Sequence, residues 1–554
     1  MTGNLDLFLY NGEERNKDED CYDLLNLNEF DLEDWTFKKA DTKEFTHLIF
    51  NDYPARMIPQ IARKLINLYY PKYKDLKDKK PILDPFGGSG TTCVEAMLKN
   101  IDSIAFDLNP LAGVITNVRT SLIPRNKLKY YYEKLKKEIN ENKNQTFEQY
   151  FPNEPNLEYW FSKTVLQDLS IIKYSIEISF SEKKNAQNEI FDRLKNFFLI
   201  CYAKTARDCS YQRSGEHKSY RIKKNKIPEF DKRVNTIQYF DDLVVKYSNS
   251  LDEFFRFFSK NKNKSSCQTF LSNSMELDGI KNNSIDLIVT SPPYGDSHTT
   301  VAYGQFSRFP LEWLQYERED VRIIDNSLLG GIKNDKILKN TLILFETSKR
   351  ILFEEVKQQN EFIKEFCNYY ENLDIISEYE ILDQLKDKLK TSLNFEIRVN
   401  QSNTLSELID LKQNFFKYMK DIRSSSNILK KIIREKTGSF KIKDFRIYDE
   451  RLPYVLSFFS DLLKVLNRLF DVLDYDRKCC IVIGNRTVKR VKIPTDEIII
   501  ELGKNIGFEH LKTFYREIPN KRMPRKNSPT NIPGELLSTM NHETIIILNK
   551  PKKK

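Results

Sequence analysis

The chain has 554 residues, long for one compact core, and 40% of them are apolar, enough for a main domain with added modules. Lys and Arg total 89 against 79 Asp and Glu, and the net charge of +10 favours a polyanionic partner, the bland alternative being a solvated basic surface. Eight dispersed cysteines without a CxxC pair, and five dispersed histidines, argue against a metal site or a disulfide framework, and no apolar run reaches membrane-spanning length.

Residues 1–40 are polar and acidic, lack the apolar core of a secretory signal and take no assignment; the expected setting is a reducing cytoplasm. Residues 41–120 have an α/β pattern. Ile58, Ile61, Leu65 and Leu68 predict a helix over 57–70. A short buried strand at 81–84, a glycine-rich turn, a helix over 91–99 and a strand at Ser103–Asp107 complete a βαβ unit. Residues 121–265, rich in lysine and aromatics, read as a helical insertion, with helical spacing around 160–176 and 191–203. Residues 266–322 return to α/β, with strands at Cys267–Leu271 and Ile285–Thr290. Residues 323–445 are helical and charged with both signs, a second insertion. The last part, 446–554, holds a helix over 453–470, a strand at 479–483, and strands at 511–517 and 544–548 on either side of a basic loop.

Asp84-Pro85-Phe86-Gly87-Gly88-Ser89-Gly90-Thr91-Thr92 stands where a parallel strand gives way to a helix, the ligand crevice of such a sheet. Its glycines let the backbone approach a ligand closely. The GxGxxG spacing of dinucleotide sites and the Lys of a phosphate loop are both missing. A turn that opens on a carboxylate suits a cation better than a pyrophosphate, and S-adenosylmethionine carries an α-ammonium and a sulfonium. Asp107, ending the next strand, is placed to accept from ribose hydroxyls. The structural alternative is a βα turn with a capping aspartate.

The strand Ile285–Thr290 runs into Ser291-Pro292-Pro293-Tyr294. Two prolines fix φ and supply no N–H, so the turn is stiff and its carbonyls are free to accept. An exocyclic amine on a base has two N–H donors, one for Ser291 Oγ and one for the Pro292 carbonyl. Tyr294 offers a face on which the base can stack, a contact worth about 1–3 kcal/mol. Methyl transfer to an amine is a direct displacement in which positioning supplies most of the acceleration, and no cysteine lies beside the turn. Both turns must then open into one pocket.

Together, DPFGGSGTT and TSPPY resemble the cofactor and catalytic motifs of the amino-methylating DNA methyltransferases of bacterial restriction–modification systems. Further stretches are similar to that family: Asn51 to Pro59 around Tyr53 and Pro54, Phe106 to Pro110 with Asp107 and Asn109, Asn273 and Ser274 in the third motif, and 519–529 near the C-terminus. The resemblance implies a Rossmann-like α/β fold with a mostly parallel seven-stranded sheet, a C-terminal antiparallel strand and two helical insertions. It implies S-adenosylmethionine as cofactor, held by Tyr53, Pro54, Asp84 to Thr92, Asp107, Asn109, Asn273 and Ser274. It implies double-stranded DNA as substrate, reached by base flipping, and leaves room for a cognate restriction endonuclease as partner. Serine at position 291 matches the cytosine-N4 form, whereas the adenine-N6 enzymes usually carry aspartate or asparagine there. One departure is the order of motifs: many cytosine-N4 enzymes place the catalytic motif first.

Arg213, Lys218 and Arg221, interleaved with Tyr and Ser over 206–221, are candidate phosphate contacts, as are Lys521, Arg522 and Arg525 in the basic loop read over 516–526. The segment 295–308 is expected to cover the active site, with Arg308 a further phosphate contact. Residues 323–445 are the candidate target-recognition module, with 121–265 as competitor. Rival readings are an adenine-N6 methyltransferase, a methyltransferase of RNA or of a protein amide, and a catalytically inactive DNA-binding subunit.

Overall fold

In the computed structural model the α/β segments converge on one seven-stranded sheet. The structure describes residues 34–553 except 39, 74–77, 182–188, 297–300, 333–341, 372–386, 388–390, 392, 405, 416, 418–450, 520–525, 528–536 and 539–540. The strands are β1 (Ile82–Asp84), β2 (Ser103–Asp107), β3 (Cys267–Leu271), β4 (Ile285–Thr290), β5 (Leu473–Ile483), β6 (Glu509–Glu517) and β7 (His542–Lys550). They lie in the order β3-β2-β1-β4-β5-β7-β6. The first five pair in parallel, and β7 runs antiparallel between β5 and β6. This is the Rossmann-like methyltransferase fold, as expected. The chain winds outward from β1 to β3 and then crosses back to β4, so β1 and β4 flank the switch point, where open α/β sheets hold their ligands.

The period of two along each central strand sends alternate side chains to opposite faces. Ile288, Cys479, Ile481, Ile483, Ile546 and Leu548 join the core under α11 (Leu452–Val472) and α12 (Thr495–Ile506). Leu287, Val289, Cys480, Val482, Ile545 and Ile547 face the core under α1 (Pro59–Tyr69). Both faces are therefore apolar, and these strands read as continuous hydrophobic runs. Helix α1 starts at Pro59, later than residue 57, because Ile58 is extended and proline suits the first helical position. Helices α2 (Thr91–Leu98) and α3 (Pro110–Arg119) follow β1 and β2.

The insertions are built into the domain. Helices α4 (Arg125–Asn142), α5 (Lys163–Ser179), α6 (Glu189–Asp208) and α7 (Thr236–Lys260) share one core with Ile49, Phe50, Tyr53 and the inner face of α3. After β4 come α8 (Tyr303–Trp313), α9 (Arg318–Ser327) and α10 (Leu342–Glu371), the last placing Leu344, Ile351, Leu352 and Val356 against α11. Helix α8 contains Pro310, which cannot donate to the carbonyl of Phe306 one turn earlier. Arg207 Nη1 from α6 donates to that carbonyl instead, at 3.0 Å. Among the described residues no helix is long and apolar enough to cross a membrane, and no cluster of His, Cys, Asp and Glu could hold a metal ion.

Candidate active site

The glycine turn leaves β1 under several constraints. Gly88 and Gly90 have φ of +52° and +74°, and a Cβ on Gly90 would stand 2.8 Å from the Thr116 side chain of α3. Asp107 holds the turn from the end of β2: its Oδ2 accepts from Gly88 N at 2.8 Å and its Oδ1 from Asn109 N at 2.8 Å. Asp84 Oδ1 accepts from Phe86 N at 3.1 Å and from Thr290 Oγ1 at 2.7 Å. Thr290 ends β4, so Asp84 joins the glycine turn to the strand that carries Ser291. Burial pushes the Asp84 and Asp107 carboxyls up to about 6. Neither has a cationic side chain among the groups that shift it, and a bound cation would draw them back toward the charged form.

A cleft with about 840 Å³ of empty space, open solvent at its mouth included, lies above the switch point. Its wall includes Asp84, Phe86, Gly87, Gly88, Ser89 and Thr91 of the glycine turn, with Asp107 and Asn109 from the end of β2. Tyr53, Pro54, Asn273 and Ser274 close other sides, and Ser291 and Pro293 of the second turn line the same space. Ser89 Oγ is buried there without a hydrogen-bond partner among the described residues. A donor-acceptor left unmet inside a cavity costs about 1–3 kcal/mol, which a polar ligand would recover.

Several of the residues expected to contact the cofactor have structural work in the fold. Pro85, Gly90 and Thr92 are not on the cavity wall. The Pro85 carbonyl accepts from Ser274 Oγ, Gly90 caps α2, and Thr92 Oγ1 donates to Val289 O of β4 at 3.2 Å. Asn109 lines the cavity, yet its Oδ1 caps α3 by accepting from Leu111 N, and its Nδ2 donates to Tyr53 Oη and Ser307 Oγ. Pro292 and Tyr294 stand beside the wall, with Tyr294 Oη 3.5 Å from Ser291 Oγ.

Residues 297–300 lie outside the described residues, but Tyr303 lines the cavity, its ring 6.1 Å from that of Tyr53. The Arg308 guanidinium is engaged by Glu154 and by Glu312, the latter one turn further along α8. Arg516, where the expected strand over 511–517 and the expected basic loop overlapped, belongs to the strand β6, buried and paired with Glu543. Ser327, Leu328 and Leu329, at the end of α9, form a wall that the sequence reading missed. Nothing local marks them, since they reach the cavity only through the packing of α8 on α9.

Arg213 and Lys218 are exposed on the loop between α6 and α7, and Arg221 lies over the Tyr159 ring at 4.1 Å. Ser219 Oγ donates to Gln305 O at 3.2 Å, which fastens this loop to α8 and so beside the cavity. Lys521, Arg522 and Arg525 lie outside the described residues.

The family profile for N6/N4 enzymes, described as DNA methylase, matches residues 10–112, which include the glycine turn and Asp107. Over 526 residues the chain is 30% identical to the Type II methyltransferase M.MvaI of Kocuria varians, covering 92% of each protein. The chain belongs to this family of DNA methyltransferases. A second relative, the Type II methyltransferase M.MjaII of Methanocaldococcus jannaschii, is 33% identical over 119 residues, 21% of this chain and 20% of the relative. Two structures of a DNA modification methylase from Thermus thermophilus also overlap only part of the chain. One is 24% identical over 18% of this chain and 40% of that one, with a TM-score of 0.14. The other, complexed with S-adenosyl-L-methionine, is 19% identical over 21% and 45%, with a TM-score of 0.15. With overlaps this small, the fold of this methyltransferase rests on its own sheet order.

Proposed function

We propose that this DNA methyltransferase uses S-adenosylmethionine to methylate the exocyclic N4 amine of cytosine in duplex DNA, protecting DNA in a restriction–modification system. The observation that carries this reading is one cavity lined both by Asp84 and Phe86 to Ser89 of the glycine turn and by Ser291 and Pro293 of the second turn. The cavity fits the cofactor's chemistry: no cation is among the groups that shift buried Asp84, Ser89 Oγ lacks a partner among the described residues, and the turn has backbone at close approach. Asp84, Ser89, Asp107 and Tyr53 would hold it. When bound, it supplies an electrophilic methyl group on a sulfonium.

The remaining work falls to the chain. Ser291 Oγ and the Pro292 carbonyl accept the two amine hydrogens, aiming the nitrogen lone pair at the methyl group. The base leaves the DNA stack to arrive there and rests against Tyr294. The nitrogen, on taking the methyl group, gives up one proton to solvent water, leaving a neutral methylamine. Arg213, Lys218 and Arg221 meet backbone phosphates beside the cavity, with Lys521, Arg522 and Arg525 of the C-terminal segment contributing.

Serine at position 291 supports cytosine over adenine. The test is to methylate DNA with isotopically labelled cofactor, digest it to nucleosides and weigh them. Labelled N4-methyldeoxycytidine is expected. Labelled N6-methyldeoxyadenosine would move the substrate to adenine, and 5-methyldeoxycytidine would overturn the amine mechanism.

A further inference from the structure

Tyr294 is held from outside its own turn. Its hydroxyl donates to Glu543 Oε1 at 2.9 Å, across the interval between the end of β4 and the start of β7. Burial and the charge of Glu543 push the phenol well above its usual range, so it stays protonated and donates. Glu543 divides its two oxygens: Oε2 accepts from Arg516 Nη1, its cross-strand neighbour on β6. Arg516 is buried and itself fastened, its Nε donating to the Trp35 carbonyl at 3.0 Å. Trp35 packs on Phe514 at 4.9 Å between centroids and lies under Lys64 Nζ at 4.4 Å. A chain of charge-assisted contacts thus runs from the sheet edge to the phenol oxygen.

We propose that Glu543, braced by Arg516, is a positioning residue for methyl transfer: it pins the Tyr294 hydroxyl and so fixes the plane on which the target base stacks. This rests on the reading of Ser291–Tyr294 as the turn that holds the base. Stacking is sensitive to tilt, and the amine must meet the methyl group in line, so a few degrees of ring freedom reach the reacting nitrogen. Packing alone lets a half-buried ring tilt about its Cβ. A hydrogen bond at the far end of the ring removes that freedom. Glu543 touches neither base nor cofactor in this account and acts only through Tyr294.

The test is a double-substitution cycle on the full chain, read as the rate of methyl transfer to plasmid DNA at saturating cofactor and DNA. Tyr294→Phe removes only the hydroxyl, and Glu543→Ala removes its acceptor. Each is expected to lower the rate about tenfold, the worth of one charged hydrogen bond. The KM for S-adenosylmethionine should stay unchanged, which a general loss of structure would not allow. The double substitution should fall no further than either single one. Full rate in Tyr294→Phe, or losses that multiply in the double, would overturn the proposal. If Glu543→Ala fails to fold, the rate of Tyr294→Phe decides alone. Tyr294→Ala separates the two levels of the argument: full rate there removes the turn's assigned role, whereas loss there with full rate in Tyr294→Phe removes only Glu543.

Discussion

Asp84 and Asp107 are carboxyls kept out of water on the wall of the cavity proposed to take a cationic cofactor, and the sign of their pH effect follows. Their folded values, raised to about 6, lie above the ordinary 3.8. The native state therefore holds protons that the unfolded chain has released between those values. Without cofactor, this contribution to stability is complete below about pH 4 and is lost as pH rises through about 6. Cofactor binding has the opposite preference, because its cationic groups favour the ionised carboxylates. Calorimetric titration should show affinity for S-adenosylmethionine rising from about pH 5 to about pH 7. A flat profile would contradict the cationic reading of Asp84. Gly90 gives a second prediction. Gly90→Ala forces a Cβ against Thr116 at positive φ, so a loss of about 1–3 kcal/mol is expected in denaturant melts. Wild-type stability would mean that the turn relaxes freely.

Three of the parallel strands, Ser103–Asp107, Cys267–Leu271 and Ile285–Thr290, were legible to the residue, because each is a short run bounded on both sides by polar turn residues. The fifth was not. Residues 473–478 extend it with a register shift against β4, and their Asp, Arg and Lys side chains hide strand character behind charge. Helix α8 was hidden by Gly304 and Pro310, residues that usually break helices; only the distant Arg207 makes Pro310 tolerable. Arg207→Ala should therefore destabilise α8 by about 1–3 kcal/mol through the bared Phe306 carbonyl, seen as a lower melting temperature. The basic loop fastened to α8 has a functional counterpart. Replacing Arg213 and Lys218 together by glutamate should weaken DNA binding across all sequences and flatten its dependence on salt by about one charge per residue removed. Unchanged salt dependence would take the loop off the DNA. In the site, the motifs were legible because each is contiguous. The Ser327–Leu329 wall and the Glu543 contact were not, since both are made by residues far apart in the chain.

Sheet order brings the two motifs together. The glycine turn follows β1 and the Pro-Pro turn follows β4, and those strands are neighbours at the switch point although two hundred residues of chain separate them (roughly, counting from Asp84). The Asp84–Thr290 hydrogen bond ties the glycine turn to the strand that runs into the Pro-Pro turn in the fold itself. Both insertions share core with the catalytic domain, so exchanging either with that of a relative must preserve those packed faces if a change of recognised DNA word is to be read from it. The most direct measurement is the single-turnover rate of Ser291→Ala beside its affinity for S-adenosylmethionine. Methyl transfer should fall about a hundredfold while cofactor affinity stays within about threefold of wild type. A Ser291→Ala protein that methylates DNA at the wild-type rate would contradict the account.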